Sequence, residues 1–330
     1  MKNLMLTTAL ASSLLVSAAI AEVKVGGALE VTMGSSEKPA TGTKDNYGTT
    51  IGYENEISFR GSKTLTNGTV VGVGMNMVDS TIEGQAISFT NGNTTVYVGN
   101  DVNGGNLDDG QVVPVVANPI EDGNKSLAAI YNYNKATIHA ADAIGIFTKT
   151  GVGTFSAAYA PKVAGAGSVD SAPAGVASGS GLAVGFAGDL GVKGLTVRTS
   201  YTERDTSGSD AAQIDMTNIG ATYNFGKVTV GAGQSTIDDS NNGTSFTSGG
   251  EYQARSIGVV FAATDAISIG YQRSELDINS STTDEEAQSI TVGYNLGGAT
   301  ITAQWTEVEN QAGSAGVDGE AFELRIKQAY

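Results

Sequence analysis

The sequence predicts an all-β fold, a single up-and-down barrel of sixteen antiparallel strands. Three observations predict it. Apolar residues recur at every second position in run after run from residue 23 to the C-terminus, which is the period of a strand with one greasy and one polar face. The segments between these runs alternate between tight turns and long polar links. No segment sustains an apolar stripe at helical spacing, so helix is minor.

Residues 1–21 read as an export address that precedes the barrel. Lys2 gives a positive start, Leu4 to Ile20 is an apolar run broken by Thr, Ser and Ala, and Ala19-Ile20-Ala21 matches a small-residue cleavage site, so Glu22 is the expected mature N-terminus. The run is too short and too rich in small residues for a spanning helix, and no long apolar run follows it. The rest, 22–330, is expected to be one barrel domain. In the first strand Val23, Val25, Leu29, Val31 and Met33 alternate with Lys24, Gly26, Ala28, Glu30 and Thr32. Ile51, Tyr53, Ile57 and Phe59 then alternate with Glu54, Glu56, Ser58 and Arg60. Val71 to Met77, 84–90, 94–100, 142–149, 152–160, Leu182 to Leu190 and Leu195 to Thr202 continue the pattern. Runs at 214–225, 228–236, 253–263, 267–276, 287–296, 299–308 and 319–330 complete it.

The connections carry the topology. Short turns are expected at Asn67-Gly68, Asn91 to Asn93, Thr150-Gly151, Gly191 to Gly194, Gly226-Lys227, Thr264 to Ala266 and Gly297-Gly298, where Gly and Asn supply the positive φ of tight hairpins. Longer polar links are expected at 34–49, 79–83, 101–141, 161–180, 205–213, 237–252, 277–286 and 309–318. Short links on one rim and long ones on the other describe a membrane barrel with short inner turns and long outer loops.

Sidedness follows from volume. Sixteen strands enclose more space than side chains can fill. The alternate face is rich in Ser, Thr, Gly, Asn and charges, which cannot pack a dry core cheaply. The polar face is therefore expected to line water and the apolar face to meet lipid, with Tyr53, Phe59, Tyr159, Tyr201, Tyr223, Phe225, Tyr271, Tyr294, Trp305 and Phe322 as interfacial girdles. Composition removes other classes. With 18 Lys+Arg against 34 Asp+Glu the formal charge is -16, which argues against nucleic-acid binding. Cys is absent and His139 is the one histidine, so thiolate chemistry and His-rich metal sites are excluded. No nucleophile-elbow motif occurs, and no enzymatic activity is expected.

These residues resemble the Gram-negative general porins, the sixteen-stranded trimeric diffusion channels of the outer membrane. The carriers are Glu56-Ile57-Ser58-Phe59-Arg60-Gly61-Ser62-Lys63 running on through Thr64-Leu65-Thr66-Asn67-Gly68, which is similar to the second strand and first inside turn, and Asn93 to Asn100 (NTTVYVGN), which is similar to the fifth strand ahead of an inward-folded third loop. Tyr330, a terminal aromatic in phase with Phe322, Leu324 and Ile326, stands where the family usually ends in Phe and is the expected assembly signal for the barrel-assembly machinery. The resemblance implies a homotrimer among lipid and lipopolysaccharide, passing small hydrophilic solutes by passive diffusion.

It also implies that 101–141 folds inward as a constriction. That segment supplies Asp101, Asp108, Asp109, Glu121 and Asp122, opposed by Lys125 and Lys135. Strand parity puts Lys24, Arg60, Arg198, Arg204, Arg325 and Lys327 on the polar wall, where each either faces the channel or braces the wall through Glu30, Glu54, Glu56 or Glu323. Loop acids facing wall bases would make a transverse field that admits polar solutes. With so many acids the expected preference is mildly cationic. Asp108-Asp109 and Asp238-Asp239 are candidate calcium ligands, and otherwise no cofactor is expected. Two other readings fit the same chain: a substrate-specific outer-membrane channel, and a surface β-protein with an adhesive role and no pore.

Overall fold

The computed structural model describes residues 23–40, 43–79, 81–100, 143–161, 180–205, 213–239, 250–278 and 281–329. The strands are β1 (Val23–Ala40), β2 (Thr43–Thr64), β3 (Val70–Val78), β4 (Thr81–Asn91), β5 (Thr94–Asn100), β6 (Ala143–Lys149), β7 (Thr154–Ala160) and β8 (Gly181–Gly188). They continue as β9 (Leu195–Asp205), β10 (Gln213–Asn224), β11 (Val228–Asp239), β12 (Gly250–Ala262), β13 (Ile267–Ile278), β14 (Glu285–Asn295), β15 (Ala299–Glu309) and β16 (Gly319–Ala329). Each pairs antiparallel with the next, and β16 returns to β1, so the sheet closes into a barrel. Sixteen strands and their cyclic order agree with the sequence-based expectation.

The short turns are set by local chemistry. Gly226 and Gly297 sit at φ 93° and 84°, where a Cβ would be strained. Each donates its N–H to the side-chain oxygen of an Asn two residues earlier, Asn224 at 2.8 Å and Asn295 at 2.7 Å. The two hairpins therefore use one Asx-turn device.

Two expected links prove shorter. The stretch 34–49 is mostly strand: β1 and β2 stay paired through Ala40 and Thr43, across a register shift between Ser35 and Glu37. The link at 79–83 shrinks to residues 79 and 80, because β4 begins at Thr81. In both places the sequence is mostly polar or small, so pairing leaves no period in it.

One parity of every strand points outward and carries the large exposed apolar side chains, among them Val25 (62% exposed), Ile219 (57%) and Ile257 (56%). Nine of the ten expected girdle aromatics lie in strands and all nine have outward parity, while Phe225 is exposed in the turn after β10. The inward parity is mostly small or polar, such as Ser156, Ser200, Asn218, Ser256, Gln272, Ser289 and Thr302, all buried.

The inner face is not uniformly polar, which corrects the expectation that the apolar side chains all meet lipid. Ile237, Tyr252, Leu276, Ile278 and Val308 face inward near the long-link rim of β11–β15 and pack in one buried cluster with Ala254, Ala287 and Ala321. At the same level the outward positions are charged: Glu203, Asp215, Asp238 and Glu251 lie directly opposite one another across β9–β12. Strand parity does not break across β9–β12. What changes is the medium outside, from hydrocarbon beside Ile219 to water beside Asp215, so the side chains swap chemistry while the backbone runs on.

Ile219→Arg, in the middle of the apolar band, is expected to lower folding stability in vesicles by about 2–4 kcal/mol, whereas Thr217→Arg, one outward position nearer the charged rim, costs about 1 kcal/mol or less. Urea-dependent refolding into vesicles, followed by tryptophan fluorescence, measures both. Equal effects at the two positions would contradict the assigned lipid depth.

Candidate functional site

The inner wall is built by cross-strand register. Lys24 on β1 stands opposite Arg60 on β2, and Arg60 stands opposite Gly74 on β3. The same lateral row continues through Ala86 on β4, Gly99 on β5 and Ala143 on β6. Two cations thus stand at one end of a row with almost no side chains. Gly99 is required by close approach, since a Cβ there would come within 2.6 Å of the Ala86 Cα. The small-residue strip extends to β7 and β8, where Ala158, Ala160 and Ala183 are no more than 3% exposed together with Ala143.

The wall bases divide into two kinds. Lys24 and Arg60 are exposed, and neither makes an ion pair with another described residue. Arg325 and Lys327 are held. Arg325 lies 3.1 Å from Glu30 through Nε and donates from Nη2 to Glu323 at 3.0 Å, while Lys327 Nζ lies 3.7 Å from the second Glu30 oxygen. The side chains of Arg325, Glu30 and Glu323 are 12%, 10% and 4% exposed, so this group is nearly desolvated. For Arg325 and Lys327, ion pairing within the wall is the observed arrangement. Above Lys24 and Arg60, Glu54 stands opposite Glu30 and Glu56 opposite Ala28, so carboxylates are layered over bases on β1 and β2.

Arg198 faces inward close to the short-turn rim, where with Thr196, Thr150 and Asp189 it lines a concavity of about 430 Å³. It is distant in the fold from the Lys24–Arg60 pair. Arg204 occupies the inward register between Gly181 and Ile214, and its side chain lies outside the described residues. Asp101, Asp108, Asp109, Glu121, Asp122, Tyr330 and the signal segment also lie outside them, as does the side chain of Asp239. Asp238 points outward between Asp215 and Glu251. Among the described residues no group of three or more His, Asp or Glu converges as a metal site would require.

Sequence reasoning missed Tyr97, which faces inward and meets Phe147 edge-on with ring centroids 5.0 Å apart. Its signal was present: Val96 and Val98 pair with the outward Phe89 and Ile87, which turns Tyr97 to the lumen side. It also missed the separation of charge between faces. Many of the acids on β9–β16 are outward, including Glu203, Asp215, Asp238, Glu251, Glu275, Glu286, Glu307, Glu309 and Glu320. By register the inward acids of the described strands, Glu30, Glu54, Glu56, Asp239, Glu285 and Glu323, share the inner face with the bases Lys24, Arg60, Lys149, Arg198, Arg204, Arg325 and Lys327, of which Arg325 and Lys327 pair with Glu30. Over the described strands the wall is close to neutral, although the chain is not.

A water-lined barrel with a greasy exterior has counterparts among known proteins. An anion-selective porin from Comamonas acidovorans superposes with a TM-score of 0.69 at 16% identity, covering 94% of this chain and 100% of that one. OmpT of Vibrio cholerae gives 0.67 at 13% identity over 96% and 99% of the two chains. Salmonella typhi OmpF, solved with daunomycin, gives 0.70 at 10% identity over 94% and 98%. No curated protein matches the sequence. The family model for Gram-negative porins matches residues 6–313. The chain therefore belongs to the Gram-negative porins and forms an outer-membrane channel for passive diffusion of small hydrophilic solutes.

Proposed function

We propose that this porin selects solutes with a lumen narrowed by the segment 101–141, which faces a wall whose working bases are Lys24 and Arg60. The observation that carries this reading is the small-residue strip on β5–β8. Ala143, Ala158, Ala160 and Ala183 face the lumen side of the wall, yet each is buried to 3% exposure or less. The connection that leaves β5 at Asn100 and re-enters at Ala143 starts and ends on that strip. A wall without side chains leaves room for a segment to lie against it. The acids Asp101, Asp108, Asp109, Glu121 and Asp122 then oppose Lys24 and Arg60 across the opening, and their field orders water and polar solutes.

Selectivity in this reading is mildly cationic and originates in the loop acids, because the wall charges nearly cancel. Arg325 and Lys327 act as braces. The chain works without enzymatic activity and without a resident cofactor, as a homotrimer surrounded by lipid and lipopolysaccharide. Export through residues 1–21 and insertion through the strand ending at Tyr330 complete the proposal. A second reading is anion preference, and one observation favours it: Lys24 and Arg60 stand side by side on the inner face with no carboxylate partner among the described residues.

Reconstitution in a planar bilayer decides between the two readings. The expected result is conductance with a reversal potential in a KCl gradient that marks weak cation preference. Replacing Asp108, Asp109, Glu121 and Asp122 together by Asn or Gln is expected to move that potential toward anions. A wild-type channel that already prefers anions, or a potential unmoved by the replacement, would refute the assignment to the loop acids.

Glu30→Gln is expected to shift the same potential toward anions, because Arg325 and Lys327 lose the carboxylate they share. It is also expected to lower stability by about 2 kcal/mol, since a nearly buried charge-assisted pair is broken. Lys24→Gln is expected to move the potential the opposite way with a much smaller loss of stability. Urea titration alongside the bilayer recording separates the two effects.

A further inference from the structure

A groove of about 490 Å³ runs along the inner wall of β2–β5, beside the Lys24–Arg60 pair. Its floor is Gly74 and Ala86, its near end is Arg60 and its far end is Tyr97. A Cβ built on Gly74 would meet nothing within 4 Å, so the space above it is open. Asn76 also lines the groove, and its Oδ1 is buried without a hydrogen-bond partner among the described residues. A buried acceptor left unmatched costs free energy that a donor on a visiting molecule recovers.

These features specify a guest. Two neighbouring cations with no carboxylate partner among the described residues attract an anion, and the planar guanidinium of Arg60 matches a carboxylate. The apolar floor and the Tyr97 ring favour a flat body over a hydrated inorganic ion. The unmatched Asn76 oxygen favours a hydroxyl or amine on that body. We propose that this groove is a transit subsite for small cyclic carboxylates that also carry a hydrogen-bond donor. The proposal rests on the diffusion-channel function and adds a solute class to it. Binding must be weak enough for release, so the subsite enriches its solute in the lumen without trapping it.

Current through single channels tests the proposal, with 4-hydroxybenzoate as the probe and acetate as the comparison anion. 4-Hydroxybenzoate is expected to reduce the chloride current saturably, while acetate at the same concentration is not. Gly74→Leu, which fills the groove from its floor, and Arg60→Gln, which removes the anion partner, are each expected to raise the half-blocking concentration about tenfold. Gly52→Leu places the same bulk on the inward face of β2 away from the groove, again with nothing within 4 Å of its Cβ, and is expected to leave that concentration unchanged. Equal block by acetate would overturn the proposal, and so would a half-blocking concentration indifferent to both groove variants. If conductance is normal and the block is absent, the subsite alone fails. If no variant and no wild-type protein conducts, the channel function itself fails and the subsite with it.

Discussion

The seam between β1 and β16 is the constraint on which the rest of the structure depends. In hydrocarbon an unpaired backbone N–H or C=O costs several kcal/mol, so a sheet survives there only without edges. The two ends of the chain must therefore find each other, and they do so in register from Ala28 against Ala329 to Glu37 against Glu320. The inward side of the same seam carries a nearly buried ion network. Arg325 and Lys327 on β16 grip Glu30 on β1, while Glu323 holds Arg325 from its own strand. A register slip of one residue would turn those charges to the lipid and Val31, Met33, Leu324 and Ile326 to the lumen, so the ion network and the greasy band enforce one register together.

From that register follows the allocation of charge. Period-two alternation assigns every residue to one face, and closure makes one face exterior for all sixteen strands. Among the described residues the excess of acids then falls largely on the exterior of β9–β16, above the apolar band. There Arg273 answers Glu286 at 2.6 Å and Arg255 lies 3.8 Å from Glu275, both pairs exposed. Such pairs contribute little to stability. A formal charge of -16 consequently describes the protein's solubility and surroundings better than it describes the channel.

The sequence was most legible where lipid touches the protein. Ile51 to Phe59, Leu195 to Tyr201 and Phe322 to Ile326 alternate because one of their faces is greasy and the other is not. Hence strand number, order and most boundaries could be read directly. It was least legible beyond the bilayer. Residues 34–49 are mostly polar or small in sequence, so the pairing of β1 with β2 there leaves no trace in the pattern. The parity of Leu276 and Ile278 is readable, but only register across β11–β15 shows that they form a cluster under the rim. The wall bases could be placed on the correct face one at a time. Which of them are paired could not, because Glu30 and Arg325 sit at opposite ends of the chain and meet only when the barrel closes.

The two kinds of base show why position on a face does not define a role. Arg325 has exchanged water for two carboxylates, and its charge is largely compensated where it sits. Lys24 and Arg60 keep their water and, with no carboxylate partner among the described residues, project their field into the lumen. At about 0.1 M salt that field decays over about 10 Å, so it acts on a solute passing along the β1–β5 wall and fades toward the far side of a sixteen-stranded barrel. A channel that relied on wall charge alone would therefore discriminate only near one wall. Discrimination across the whole cross-section requires acids brought within a screening length of that wall, which is the part proposed for the segment joining Asn100 of β5 to Ala143 of β6.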